Sequence, residues 1–374
     1  MTSERLAGRS GGRALIPVSL LTGFLGSGKT TVLNHMLRQP ELARTVVVIN
    51  EFGEIGLDHE LVETSSEDMV LLKSGCLCCN IRGDLIDTLR GLTARRIRGE
   101  IAPFDRILIE TTGLADPAPI LHTLIADAAV SSDYRLDGVI TTVDAATGSS
   151  TLDRHLESVK QAAVADRLLL TKTDLTKPAD LEFLRRRLRQ LNPAAPMIPV
   201  TGGEVSPRAI LDAGLFNPET KTLDVQRWLK LEAYEAHGGH GHDHAHHHDV
   251  NRHDESIRAF CLTVDEPIPA TAFDTWLELL LAMKGPDILR VKGILNISEL
   301  DGPLVIHGVQ HLFHPPLRMK AWPGDDRRTR IVFIARNVDL SALQDTLRLF
   351  TSDPPEIGRM PPAGPVSSPP EGGA

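Results

Sequence analysis

Gly23-Phe24-Leu25-Gly26-Ser27-Gly28-Lys29-Thr30 spells G-x-x-x-x-G-K-T, and the chemistry of that spacing is the cradling of phosphate. Glycines without a Cβ let backbone N–H groups converge on an anion. Lys29 is predicted to bridge the β- and γ-phosphates of a nucleoside triphosphate, and Thr30 to offer its hydroxyl to Mg²⁺. The short apolar run Ile16–Thr22 before the motif reads as a buried strand, and Thr31–Leu37 after it reads as a helix. The positive end of that helix points at the same anion. The predicted nucleotide ligands here are Gly23, Gly26, Ser27, Gly28, Lys29, Thr30 and Thr31. A mere glycine turn with a surface lysine explains neither flank.

Three further clusters carry chemistry. Arg106-Ile107-Leu108-Ile109 runs into Glu110, Thr111, Thr112 and Gly113. An acidic residue at the end of a hydrophobic strand is what Mg²⁺ needs beside a phosphate loop, so Glu110 is predicted to hold the ion through water or to orient the attacking water. The Gly113 N–H is placed to sense the γ-phosphate; a simple helix-capping carboxylate is the competing reading for Glu110. Leu168-Leu169-Leu170 leads to Thr171-Lys172-Thr173-Asp174. The Asp174 carboxylate can accept from two adjacent donors of guanine that adenine lacks, and the Lys172 stem can cover a base face while its ammonium stays wet. GTP is therefore favoured over ATP. Finally, Cys76, Cys78 and Cys79 follow Gly75 within four positions. Thiolates select Zn²⁺ or other thiophilic ions, and three of them leave one coordination position open, which suits binding followed by release.

The tract from His237 to His253 interleaves histidine with glycine and aspartate. Its imidazoles, His240, His242, His244 and His246 among them, are expected to bind Zn²⁺, Co²⁺ or Ni²⁺ weakly with fast exchange; a purely solvated linker is the competing reading. Cys261 in a strand pattern reads as core, and His307, His311 and His314 read as structural.

These groups need a scaffold. From about residue 14 to 228, short β-branched runs alternate with amphipathic stretches, which predicts an α/β domain with a mostly parallel sheet covered by helices. Strands are expected at 17–22, 45–50, 69–72, 106–110, 138–143, 167–171 and 197–200, and helices at 84–95, 152–163 and 181–191. Each site motif then falls at a strand's carboxyl end, where such sheets bind ligands. The apolar-poor stretch 229–255 separates this unit from a smaller α+β unit at 256–351. Residues 1–13 are a loose polar lead-in, and the proline- and glycine-rich 352–374 reads as a disordered tail.

The chain has 374 residues and a formal charge of −9, which argues against a broad nucleic-acid or membrane surface. The apolar stretch at 14–25 contains Pro17 and runs straight into the phosphate loop, so it is not read as a cleavable leader, and a cytoplasmic location is expected. Clustered rather than evenly spread cysteines suit reduced thiols.

Taken in order, GFLGSGKTT at Gly23–Thr31, NEFGEIGLD at Asn50–Asp58, GCLCCN at Gly75–Asn80, ETTGLADP at Glu110–Pro117 and TKTD at Thr171–Asp174 resemble the CobW-like family of P-loop GTPases, which includes zinc metallochaperones. The resemblance spans roughly residues 17–350 and includes the histidine tract. It implies GTP hydrolysis coupled to delivery of a metal, Zn²⁺ first and Co²⁺ or Ni²⁺ next, to a client metalloprotein. It also implies that Asn50–Asp58 is a switch loop with Glu51 and Glu54 near Mg²⁺ or the cargo, and that Cys76, Cys78 and Cys79 are the principal cargo ligands. One departure stands out: Thr171 occupies the place of the family's usual asparagine, which implies weaker base selectivity with Asp174 retained as discriminator. A nucleotide-gated metal buffer, cobalt delivery for cobalamin synthesis and a small-molecule kinase are the alternatives; the last leaves the cysteines idle. The oligomeric state, a dimer among the options, stays open.

Overall fold

Hydrophobic runs of four to eleven residues, most of them followed by a helix, satisfy their backbone by pairing side by side. In the computed structural model they do so in a seven-stranded sheet of order β3-β2-β4-β1-β5-β6-β7. The strands are β1 (Ile16–Gly23), β2 (Thr45–Asn50), β3 (Met69–Leu72), β4 (Arg106–Thr111), β5 (Tyr134–Asp144), β6 (Arg167–Thr171) and β7 (Met197–Val200), and every pairing among them is parallel. The structure describes residues 15–50, 69–72, 81–211 and 257–352. Glu51, Cys76, Cys78, Cys79, the histidine tract, the lead-in and the tail lie outside the described residues.

The helices are α1 (Lys29–Leu37), α2 (Ile81–Arg98), α3 (Ala118–Ala126), α4 (Ala128–Ser131), α5 (Gly148–Arg154), α6 (Leu156–Ala163), α7 (Pro178–Leu191) and α8 (Pro207–Ile210). Alternate strand residues serve opposite faces. Leu21, Val47, Leu108 and Leu169 pack on Val32, Leu33 and Met36 of α1, while Val18, Leu20, Ile107 and Ile109 pack on the face carrying Leu89 and Leu121. Asp127 caps α4 by accepting from the N–H groups of Ala129 and Val130, both at 3.0 Å.

One sequence expectation is corrected. The helix read over 152–163 is two helices, because His155 between α5 and α6 is extended at φ −131° and ψ 108°. The break lays the His155 ring on Phe24 of the phosphate loop, centroids 4.5 Å apart. Helix periodicity continues through the break, so the pattern alone cannot locate it.

The second unit is an antiparallel sheet of β8 (Ile257–Val264), β9 (Ile288–Leu295), β10 (Leu304–Val309), β11 (Leu312–Phe313), β12 (Leu317–Arg318) and β13 (Thr329–Arg336), ordered β11-β10-β9-β13-β8 with β12 on β10. Helices α9 (Ala270–Lys284) and α10 (Leu340–Ser352) cover one face through Phe273, Trp276, Leu280, Leu343 and Leu347. The other face docks on the first unit: Ile257, Leu289 and Ile334 share a core with α5–α7, and Val309 joins the core under α2 and α3. Cys261 sits in β8, partly buried against Val332 and its neighbours. With both faces covered, all eight residues of β9 are buried, including Arg290 and Lys292.

Those two cations meet Asp166, which lies between α6 and β6. Arg290 donates to the Asp166 carboxylate and to the Val164 carbonyl, and Lys292 Nζ reaches Asp166 Oδ1 at 3.2 Å. The Val139 N–H donates to the other carboxylate oxygen at 3.0 Å. Burial pushes the Asp166 carboxyl up, but the Arg290 and Lys292 charges overrule it and hold the group well below the usual range. Burial and the neighbouring Arg290 draw Lys292 down to about 7, against the pull of Asp166. His307 and His314 stack beside this cluster with centroids 4.9 Å apart. Among the described residues no helix is long and apolar enough to cross a membrane.

Candidate nucleotide site

Strand β1 lies between β4 and β5, so its carboxyl end opens where the chain order reverses across the sheet. The phosphate loop springs from that end and closes into α1 at Lys29, after Gly28 at φ 88°. This left-handed backbone suits a glycine and strains any other residue.

Thr30 Oγ1 donates to Glu110 Oε1 at 2.9 Å, and Glu110 is 5% exposed. Register explains the meeting, since Leu21 of β1 pairs with Glu110 of β4. A hydroxyl beside a carboxylate is a pair of hard oxygen donors, the chemistry Mg²⁺ prefers. Lys29 is also buried, and its Nζ donates to the Phe24 carbonyl at 3.2 Å, folded across its own loop.

Beyond Glu110, the main chain at Gly113 presses on the phosphate loop so closely that a Cβ there would stand 2.6 Å from the Leu25 nitrogen. Only glycine fits. Helix α6 grips this segment from behind: Gln161 Nε2 donates to the carbonyls of Gly113 at 3.2 Å and Ala115 at 3.0 Å. Lys160 Nζ pairs with Asp116 Oδ2 at 2.7 Å, while Asp116 Oδ1 accepts from the Ala118 N–H and starts α3.

The base-side motif also reaches the loop. Thr171 Oγ1, buried, donates to the Ser27 carbonyl at 2.8 Å, and Lys172 Nζ donates to the Gly26 carbonyl at 2.8 Å. In a planar trans peptide the carbonyl and the next N–H point opposite ways, so the grip on Ser27 turns the Gly28 N–H to the other side of the loop. Asp174 is exposed on the single turn Thr173–Leu175 that follows Lys172, itself left-handed at φ 54°. Thus Lys29, Thr30, Glu110, Gly113, Thr171, Lys172 and Asp174 converge on one edge.

Sequence reasoning passed over several residues at this edge. Asp144 ends β5 and pairs with Lys172 at 2.7 Å; its place at a strand's carboxyl end was the available signal. The bend after β7 approaches too, with Gly203 against the Thr31 main chain and Thr201 Oγ1 3.5 Å from Thr173 Oγ1. Gln161 and Lys160 gave no signal, because a helix pattern does not say what its polar residues touch. Among the described residues no cluster of three or more His, Cys, Asp or Glu side chains suits a metal ion. Strand β2 ends at Asn50, opposite Leu72 of β3 on one side and Thr111 of β4 on the other.

Comparison with known proteins agrees with this architecture. The profile of the CobW/HypB/UreG nucleotide-binding domain matches residues 17–199, and that of the cobalamin synthesis protein cobW C-terminal domain matches residues 257–351. The zinc chaperone YjiA of Escherichia coli is 32% identical over 319 residues, covering 85% of this chain and 93% of that protein. The zinc chaperone CobW of Pseudomonas aeruginosa is 31% identical over 367 residues, covering 90% and 91%. The zinc-regulated GTPase metalloprotein activator 1 of Schizosaccharomyces pombe is 31% identical, covering 86% and 83%. The crystal structure of Zn(II)-bound YjiA GTPase superposes with a TM-score of 0.64 at 27% identity, covering 89% of this chain and 98% of that one.

Proposed function

The chain belongs to the CobW family of P-loop GTPases, and from that premise we propose that it is a zinc chaperone in which the bound nucleotide sets the grip of Cys76, Cys78 and Cys79 on the metal. It is a GTPase. Gly23–Thr31 receives the triphosphate, with Lys29 turning from the Phe24 carbonyl to the β- and γ-phosphates as they arrive. Thr30 and Glu110 would hold Mg²⁺, which supplies positive charge against the phosphates. Asp174 reads guanine, and Thr171 and Lys172 keep the loop in shape from the base side.

The observation that carries the metal reading is the register of strand ends. Leu72, four residues before Cys76, pairs with Asn50, and Asn50 pairs with Thr111 next to Glu110. Segments that leave such adjacent ends are a few strand spacings from one another. Ordering of 50–58 and 110–116 by the γ-phosphate would therefore reshape the thiolate site, and hydrolysis would loosen it toward a client metalloprotein. The histidines His240, His242, His244 and His246 would gather metal nearby, and Glu51 would complete either the Mg²⁺ or the cargo site.

Linkage makes this testable, because the metal must shift nucleotide affinity by the same factor as the nucleotide shifts metal affinity. Titrations with Zn²⁺, Co²⁺ and Ni²⁺ should be run on the protein loaded with a non-hydrolysable GTP analogue, with GDP and empty, with Cys78→Ser as control. A difference of about tenfold or more between the GTP-analogue and GDP states is expected, equivalent to about 1.4 kcal/mol, and Cys78→Ser should abolish it. Equal affinities in all three states would sink the coupling.

A further inference from the structure

We propose that Gln161 and Lys160 on helix α6 are positioning residues for GTP hydrolysis, holding the Gly113–Asp116 segment in the place from which it addresses the γ-phosphate. The inference rests on the nucleotide site described above and extends it to two side chains of α6 that lie outside the sequence motifs of that site.

Three observations support it. First, Gln161 is 0% exposed, and its one carboxamide nitrogen serves two carbonyls of the same short segment, Gly113 and Ala115. Two neighbouring carbonyls held by one donor fix the direction of the peptides between them. The Gly113 backbone so fixed is the part that lies on Leu25 of the phosphate loop. Second, Lys160 acts one residue further on. Its ammonium holds Asp116, whose other carboxylate oxygen caps the start of α3. Segment and following helix are thus tied to consecutive positions of α6.

Third, α6 is itself immobilised. The Thr141 hydroxyl donates to the Gln161 carbonyl at 2.8 Å, which ties the helix to β5. Just past the helix, Arg290 from the second sheet holds the Val164 carbonyl and, with Lys292, the Asp166 carboxylate. A helix whose carboxyl-terminal turn is anchored to both sheets differs from ordinary packing. The side chains that reach the segment are polar and directional, and none of the five hydrophobic clusters is needed to account for them. A segment that must sense one phosphate needs its donors already aimed, since reorientation during the reaction would forfeit the stabilisation.

The test uses the full-length protein and compares Gln161→Met, Lys160→Met and Lys160→Arg. Steady-state GTP hydrolysis and GDP affinity are measured on each, with Lys29→Ala as the reference for a lost nucleotide site. For Gln161→Met we expect kcat to fall about tenfold or more while GDP affinity stays within about twofold. Lys160→Met should lower kcat about threefold, and Lys160→Arg should restore it. Lys160 is partly exposed, so its variants report even if Gln161→Met folds poorly. Unchanged kcat in Lys160→Met overturns the proposal, as does a parallel loss of GDP affinity and kcat. If wild type and Lys29→Ala hydrolyse GTP equally, the nucleotide site itself is misread. That outcome is distinct from failure of the brace alone.

Discussion

The molecule handles charge in two opposite ways. At the carboxyl edge of the parallel sheet, Lys29, Glu110, Lys172 and Asp174 gather around a glycine loop whose Gly26 and Thr31 are exposed. Two donors there are turned on partners they can exchange: Lys29 on the Phe24 carbonyl and Thr30 on the Glu110 carboxylate. At the seam between the two sheets, Asp166, Arg290 and Lys292 are equally charged but closed on one another, with 4–7% exposure. Buried ions must satisfy one another within the protein, because their desolvation leaves no other partner. The first cluster is therefore arranged for a ligand and the second for register between domains. Residue type is shared, and Lys29 and Glu110 are as buried as the seam; the partners divide the roles, loop and hydroxyl groups at the edge and fixed counter-charges at the seam.

The largest effect should come from the seam. Asp166→Ala strips the counter-charge from Arg290 and Lys292 and is expected to cost about 3–5 kcal/mol of stability, read from urea unfolding. A loss under about 1 kcal/mol would show that the seam is hydrated and that the contrast with the nucleotide edge is false. At the other pole, Lys29→Ala should slow GTP turnover by roughly 10²–10³-fold with its melting temperature unchanged. A turnover loss matched by a stability loss would make Lys29 a structural residue like Lys292.

A smaller effect sharpens the contrast through pH. Burial holds His314 down to about 4 and His307 well below its ordinary value of 6.5, with the neighbouring His314 and Arg290 charges adding to the effect on His307. Their folded pKa values are depressed, so the unfolded chain binds more protons once the pH drops below about 6.5. Stability from this pair is complete above that point and is lost as the pH falls toward 4. Lys292 is protonated in both states below about 7, and Asp166 contributes its own loss only below its ordinary range, so neither clouds this window. Thermal unfolding at pH 6.5 and pH 5 should differ by about 2 kcal/mol, and His314→Phe should reduce the difference. A flat profile would place both rings in water.

Much of this was written in local sequence. The phosphate loop needs its glycines, lysine and threonine in one short run, and a strand of aliphatics must feed it, so motif and scaffold are legible together. The strands at 45–50, 69–72, 167–171 and 197–200 coincide with the expected ranges for the same reason: short apolar runs bounded by polar residues read as buried strands. Thr171 is a partial exception. Its departure from asparagine suggested a base contact weakened, whereas its hydroxyl is spent on the Ser27 carbonyl of the phosphate loop.

The chain alone therefore determined the nucleotide chemistry, the parallel sheet and the order of the motifs, because each depends on neighbours within a few residues. Tertiary structure decided what local pattern could not encode. Alternation in β9 would put Arg290 and Lys292 toward water, and only docking of the first unit buries them against Asp166. A continuous amphipathic stretch hid the break at His155, and nothing near Gln161 in sequence announces Gly113, 48 positions away. Long-range contacts of this kind arise when separately formed elements pack, and their energy appears only in the assembled fold.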